Sequence, residues 1–275
     1  MNKVNIFVAT HKPDLVYSDD VYIPIHVGRN ISKYREKMNH MIGDDSGDNI
    51  SCKNPFYCEC TAQYWMWKNV ESSYVGLCHY RRYFETKITS ENIDKLMKNK
   101  DVILAEPIID RRSMATKLLR ASCEEDYYIF LACIKKLYPN YYNTAIHFLN
   151  NNKCIGYNMF IMRKTDFNNF AEWQFNILSE MENNVRLSGY TRMRRIYGYM
   201  AEMLLPIYCI HNKLRIKYMP IVSMQNERKK KEILRPLKNI YNNIVFWLLR
   251  EKIVHSDAVL VGLKNDNIPI FNETL

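Results

Sequence analysis

Between Ile42 and Phe84 the chain reads IGDDSGDNISCKNPFYCECTAQYWMWKNVESSYVGLCHYRRYF, and few folds accommodate that order of residues. It opens on an acidic loop broken by glycine: Gly43, Asp44, Asp45, Gly47, Asp48 and Asn49. Lys53-Asn54-Pro55 then predicts a helix start. Asparagine caps well, and proline suits the first helical position, where its missing N–H would have no partner anyway. Phe56, Tyr57, Tyr64, Trp65 and Trp67 fall along that helix, and Trp65 and Trp67 read as core. Asn69 and Glu71-Ser72-Ser73 close it, and Tyr74–Cys78 is a short strand ending in His79-Tyr80-Arg81-Arg82-Tyr83. Loop, helix, strand and cationic strand end form an α/β unit, and ligands in open α/β sheets bind beyond the carboxyl ends of strands. Two arginines and a histidine there suit a phosphate-bearing ligand, because guanidinium grips phosphate oxygens in pairs. An Arg-Arg pair also occurs at solvated sheet edges. The crowding of charge, glycine and aromatics at both ends of one unit favours the ligand.

The rest of the chain alternates similarly. Asn5–Thr10 reads as a first strand, with His11-Lys12-Pro13 leaving it, and Tyr22–Val27 is a short extended segment ending at Gly28. Ser90 caps a helix carrying Ile93, Leu96 and Met97; Asp101–Ala105 is a buried strand. Ser122 and Glu125 are spaced as a capping box for a helix ending near Tyr138-Pro139, and another short helix spans about 141–150. Cys154–Met162 reads as one strand, Thr165 caps an amphipathic helix, 194–208 is helical, and 215–222 is a late strand. This alternation predicts an α/β fold with a mostly parallel sheet flanked by helices.

At 275 residues the chain suits one such domain, 1–225, with an added C-terminal region, 226–275. No run of about 18 apolar residues predicts a membrane span. The start, MNKVNIFVATHKP, lacks the pattern of a signal peptide, so a cytoplasmic protein with reduced cysteines is expected. Cys58-Glu-Cys60 has no second close pair to complete a zinc set. A net charge of +10 favours acidic partners. No nucleic-acid reader motif accompanies the charge, and no nucleic acid is expected. Much of the charge gathers near the C-terminus, at Arg228-Lys229-Lys230-Lys231, Arg235, Lys238, Arg250 and Lys252. Around these, Ile233, Leu234, Leu237, Ile240, Tyr241, Ile244, Val245, Trp247, Leu248 and Leu249 recur at helical spacing. The segment reads as a basic amphipathic helix at an anionic membrane surface, or equally as a helix packed on its own domain.

The stretches GDDSGDNIS, KN, YCE and TAQYWMWKN followed by YVGLCHYRRYF also carry a resemblance. Together with IFVATHKP at 6–13, YIPIHVG at 22–28, YNMFIMRK at 157–164 and RRIYGYMAEMLLPIY at 194–208, they span roughly residues 1–225. They resemble a bacterial family from capsular and exopolysaccharide gene clusters, long labelled a domain of unknown function. That family is now regarded as glycosyltransferases with a GT-A-like fold, some assigned as galactosyl- or galactofuranosyltransferases.

The resemblance implies a pocket for a nucleotide-sugar. Thr10, His11 and Lys12 would hold base and ribose, although Lys12 equally reads as a surface lysine. Gly28, Asp44, Asp45, Asn49, Lys53 and Asn54 would line the donor site, with Asp44 and Asp48 accepting from ribose, uracil or sugar. Tyr80, Arg81 and Arg82 would meet the diphosphate, and Asn158, Arg163 and Arg195 the acceptor or donor edge. His79, Asp48 and Glu202 are the catalytic candidates. Arg195 and Glu202, seven apart, share a helical face, and Glu202 reads as general base or as an arginine-paired scaffold residue. GT-A enzymes usually place Asp-x-Asp at a central strand end to hold a divalent cation, manganese or magnesium. Here His79-Tyr80-Arg81-Arg82 stands instead, so dependence on metal is open.

The expected activity is transfer of a hexose from a UDP-sugar to a lipid-linked oligosaccharide, in capsular, exopolysaccharide or O-antigen synthesis. The enzyme would lie peripherally on the inner face of the cell membrane. The competing readings are a non-catalytic basic protein holding anionic glycan or nucleic acid, and a degenerate transferase fold kept as a partner subunit.

Overall fold

The computed structural model describes residues 2–223, 235–249 and 256–272. In chain order these form β1 (Val4–Thr10), β2 (Tyr22–His26), β3 (Ile42–Gly43), α1 (Asn54–Tyr57), α2 (Cys60–Asn69), β4 (Tyr74–His79) and β5 (Arg82–Phe84). Next come α3 (Ile93–Leu96), β6 (Val102–Ala105), β7 (Ile108–Ile109), α4 (Met114–Leu119), α5 (Glu124–Leu137), α6 (Pro139–Leu149) and β8 (Lys153–Cys154). They are followed by β9 (Phe160–Arg163), α7 (Lys164–Glu182), α8 (Ile196–His211), β10 (Ile216–Met219) and β11 (Ile221–Ser223). The last are α9 (Arg235–Leu249), α10 (Asp257–Asn265) and α11 (Pro269–Asn272).

Two compact units emerge. The first comprises Met1–Glu106, Ile155–Trp173 and Asn212–Asn226; the second comprises Pro107–Cys154, Gln174–His211 and Glu227–Leu275. Residues 107–154 and 174–211, placed with the first domain by sequence, thus cluster with the C-terminal residues.

The first unit is built on a sheet of order β10-β6-β9-β4-β1-β2-β3. β1, β2, β3 and β4 run parallel, as do β6 and β10, while β9 lies antiparallel between β4 and β6. β5 folds back from β4 and pairs with β11. β1 is buried nearly throughout, as central parallel strands are. Ile6, Val8, Tyr22, Cys78, Ile103 and Ile161 belong to one core cluster, while Phe7 meets Trp65 of α2 edge-on at 5.7 Å. A Cβ added to Gly76 in β4 would lie 2.8 Å from the Phe160 carbonyl of β9, so only glycine permits that approach.

In the second unit α5 packs on α4, α6, α10 and α11, and α6 also packs on α8. β7 and β8 form a separate antiparallel ribbon against which α9 lies. Tyr141 of α6 stacks on His211 of α8 with centroids 3.7 Å apart.

Several local expectations are corrected. The helix expected from Asn54 to Asn69 breaks at Cys58, whose φ is 53°. Asn54 is already helical, and its Nδ2 donates to the Cys58 carbonyl (2.7 Å), closing α1 rather than capping its start. Thr89 and Asn92, not Ser90, exchange the capping hydrogen bonds before α3. The Ser122 hydroxyl donates back to the Leu118 carbonyl, so no capping box forms and α5 begins after Cys123. Lys164 already starts α7, placing Thr165 inside its first turn. The strand expected over Cys154–Met162 splits between β8 and β9, because Tyr157 and Asn158 take positive φ. Pro220 likewise divides the last strand into β10 and β11.

Candidate functional site

Parallel pairing brings the carboxyl ends of four strands to one edge of the first unit's sheet. Thr10 aligns with His26, Ala9 with His79, and His26 with Gly43. The antiparallel β9 adds its amino-terminal approach, Tyr157 and Asn158, to the same edge. Three groups of side chains assemble there.

The first group surrounds Glu59, between α1 and α2. Asn158, buried, donates from Nδ2 to Glu59 Oε1 at 2.8 Å, and His79 Nε2 lies 3.9 Å from the same oxygen. His79 Nε2–H donates to the Tyr157 carbonyl at 2.6 Å. Arg82, half-buried, lays its guanidinium over the Tyr157 ring at 4.3 Å. It forms no ion pair among the described residues. Cys58, Tyr157 and Asn158, all non-glycine, hold φ of 53°, 75° and 50° around this one carboxylate. Strained backbone of this kind persists only where surrounding structure enforces it, and it clusters at functional sites.

The second group lies in the loop after β1. Arg81 pairs with Asp14 at 3.2 Å and covers the Tyr80 ring at 4.7 Å, while His11 meets that ring edge-on at 5.6 Å. The Leu15 N–H, and then Arg81, hold the Asp14 carboxyl below its usual range. Thr10 is buried and turns its hydroxyl back to the Val8 carbonyl (3.0 Å), leaving His11 and Lys12 as the outward residues of this loop.

The third group staples β2 to β3. Asp44, fully buried, accepts from the N–H groups of Gly28 (2.8 Å) and Arg29 (3.1 Å) and from the Ser51 hydroxyl (2.5 Å). Gly28 has φ 67°, and a Cβ there would strike the Asn54 side chain. Asp45 pairs with Arg29 (3.7 Å) and Arg35 (3.4 Å). His26 is fully buried beside them, with neither ring nitrogen hydrogen-bonded. Burial holds its pKa below the ordinary value.

Two expected residues of this loop lie elsewhere. Asp48 is exposed, accepts from the Tyr64 hydroxyl (3.1 Å), and its carbonyl accepts from Asn69 at the end of α2 (2.7 Å). At 1.5 Å per residue, Asn69 is roughly 13 Å along the helix from Cys60, beside the Glu59 group. Asn49 makes a turn, accepting from the Ser51 N–H at 3.2 Å. Lys53 lies 6.0 Å from the Tyr57 ring. Arg163 lies at the far end of β9 and donates to the Lys100 carbonyl.

Arg195 and Glu202 belong to the second unit. Arg195 sits over Tyr199 at 5.5 Å. Glu202 lies in the field of Lys117, whose ammonium donates to Cys154 Sγ (3.1 Å) and pairs with Asp110 (3.8 Å). Burial alone would depress Lys117, but Cys154, Asp110 and Glu202 outweigh it and raise its pKa.

Among the described residues no three of His, Cys, Asp and Glu converge as a metal-binding set. The strand end after β4 carries cations where a metal clamp needs carboxylates. These residues do not fit a divalent cation.

A family model described as "Domain of unknown function (DUF4422)" matches residues 5–213. The chain belongs to that family. A solved structure titled as the apo form of WbbM, a bifunctional glycosyltransferase, is similar at 30% identity and a TM-score of 0.70. The match covers 82% of this chain and 46% of that one, so the chain spans about half its relative's length. The fold is GT-A-like. No curated protein matches.

Glu59 and His26, like Asp14, Arg29, Arg35 and Ser51, are site residues that sequence analysis did not single out. A lone glutamate between two cysteines reads as solvated, and a histidine closing a strand reads as core. Positive φ at Cys58, Tyr157 and Asn158, which no residue type there demands, accompanies the approach of Glu59 to Asn158 and His79.

Proposed function

We propose that the chain is a glycosyltransferase that moves a hexose from a UDP-sugar to a lipid-linked oligosaccharide at the cytoplasmic face of a membrane. Capsular, exopolysaccharide or O-antigen glycan is the product class, and galactose and galactofuranose are the first sugars to test. The observation that carries the reading is Arg82. It stands at a strand end of a GT-A-like sheet, held by Tyr157, with no ion pair among the described residues to occupy it. Arg81, beside it in sequence, is already paired with Asp14.

In this reading Arg82 and His79 face the leaving diphosphate and offset its developing charge. His11 and Lys12 lie toward base and ribose. Asp44, Gly28 and Asn54 shape the site from behind rather than touching the donor. The acceptor hydroxyl needs a carboxylate within hydrogen-bond reach. Glu59 at this edge is the candidate within this unit. Asp48, tied to the far half of α2, takes no part.

The test begins with a thermal-shift screen of UDP-sugars, since a ligand that binds only the folded state raises Tm. Release of UDP with a lipid-linked acceptor then reports turnover. Arg82→Ala should weaken donor binding by about 1.5–3 kcal/mol, the range for hydrogen bonds to charged groups, and Arg81→Ala much less. Equal effects of the two, or no response to any UDP-sugar, would sink the assignment. Strongly salt-dependent RNA binding without turnover would favour the non-catalytic reading. Turnover lost to a chelator and restored by manganese would overturn the diphosphate role of Arg82.

A further inference from the structure

An amphipathic helix on a water-facing domain normally buries its apolar stripe and exposes its polar one. α9 does the reverse. Its buried Asn242 donates to the Ile109 carbonyl (2.7 Å), and Arg235 donates to the Pro107 carbonyl (3.1 Å). Asn243 accepts from Asn152 at 2.9 Å. The helix thus docks on its own unit through polar groups. Leu237, Ile240, Tyr241, Ile244, Trp247 and Leu248, spaced three and four apart, are each between 53% and 66% exposed. Contiguous exposed apolar residues of this kind mark an interaction surface.

Charge selects the partner. Residues 227–252 contain eight Lys or Arg against three Glu, and α9 itself contains no acidic residue. In the sequence Arg228-Lys229-Lys230-Lys231 precede α9 and Arg250 and Lys252 follow it, all outside the described residues. An exposed apolar stripe within so basic a stretch of sequence matches a bilayer whose headgroups are anionic. Fifteen residues span about 22 Å, less than the roughly 30 Å hydrocarbon core, so the helix lies along a membrane rather than across it. Among the described residues no helix is long and apolar enough to cross.

We propose that the outward face of α9 docks the protein on an anionic lipid bilayer. Its leucines and isoleucines lie at the acyl boundary, and the net positive charge of the 227–252 sequence favours anionic headgroups. The proposal rests on the lipid-linked acceptor of the functional reading for its purpose. Vesicle binding is measured without donor or acceptor, so the two fail separately.

The experiment is flotation of the full chain with phosphatidylcholine vesicles, with and without phosphatidylglycerol. The wild type should float with the anionic vesicles only, less so at high salt. Ile240→Ser/Ile244→Ser/Leu248→Ser alters only exposed positions. It should melt like the wild type, keep its response to UDP, and bind anionic vesicles at least about tenfold more weakly. If the triple variant does not fold, Leu237→Ser with Lys238→Glu, also exposed, makes the same test. A wild type that does not float, or a folded variant that floats undiminished, overturns the proposal. A wild-type dimer that the triple variant dissolves, without vesicle binding by either, would assign the face to a second copy instead.

Discussion

His26 closes β2 fully buried, with both ring nitrogens lacking hydrogen-bond partners, and Arg29, Arg35, Asp44 and Asp45 set the field around it. Burial, the largest influence, depresses its pKa below 6.5, while the two carboxylates oppose and the two arginines reinforce that shift. The unfolded chain therefore binds a proton at His26 before the folded protein does, and stability falls as pH drops below the unfolded value. Stability measured by denaturant between about pH 5 and 7 should decline toward the acid side. His26→Leu should flatten that slope. An unchanged slope would mean that another group supplies it. At this scale the sequence was legible for residues whose type forces a role. Gly28 needs positive φ against Asn54, and Arg82 is a strand-end guanidinium. It was illegible for Glu59, whose neighbours Asn158 and His79 lie 99 and 20 residues away in sequence and reach it only in the folded chain.

The elements themselves were mostly legible, their ends less so. Strand β1 and helix α7 follow from runs of apolar residues with periods that no other element satisfies. The errors fall where a side chain competes for backbone groups. Asn54 closes α1 instead of opening it, and Ser122 bonds backward to Leu118 instead of capping forward. β9 was overextended because its pattern is continuous with that of β8, and nothing in Tyr157-Asn158 announces the left-handed backbone between them. The segment 227–252 was legible as amphipathic, but not which face of α9 turns outward. Its residues 227–234 and 250–252 lie outside the described residues. Gly76 offers a test of how β9 is seated. An alanine Cβ there would press on the Phe160 carbonyl, Ile161 and Ile6, and backbone yields little. Gly76→Ala should therefore destabilise the protein by about 1–3 kcal/mol, the usual range for overpacking, as read by denaturant midpoint. A neutral substitution would show that β9 can move away from β4.

At the scale of the whole molecule, the motif resemblance pointed to the function class, but the sequence did not show how the chain divides. It passes between its two units after Glu106, Cys154, Trp173, His211 and Asn226, so neither unit is one continuous stretch. Only the last of those points is marked in the sequence, by the basic run from Arg228 that follows it. The consequence is physical. Residues 1–106 contain β1 to β6 but not β9 or β10, and β9 is the strand joining β4 to β6. Without it, β6 has no pairing to the rest of the sheet and β4 exposes an edge of unpaired N–H and C=O groups. The buried Ile161, Phe160 and Met162 of the core are lost as well. A fragment of residues 1–106, though it holds the acidic loop, α2 and the cationic strand end, should lack a cooperative thermal transition. It should also show no response to UDP-sugars, while the full chain melts cooperatively. A fragment that melts cooperatively with dispersed amide resonances would mean that β1 to β4 make a self-sufficient sheet and that β9 only decorates it.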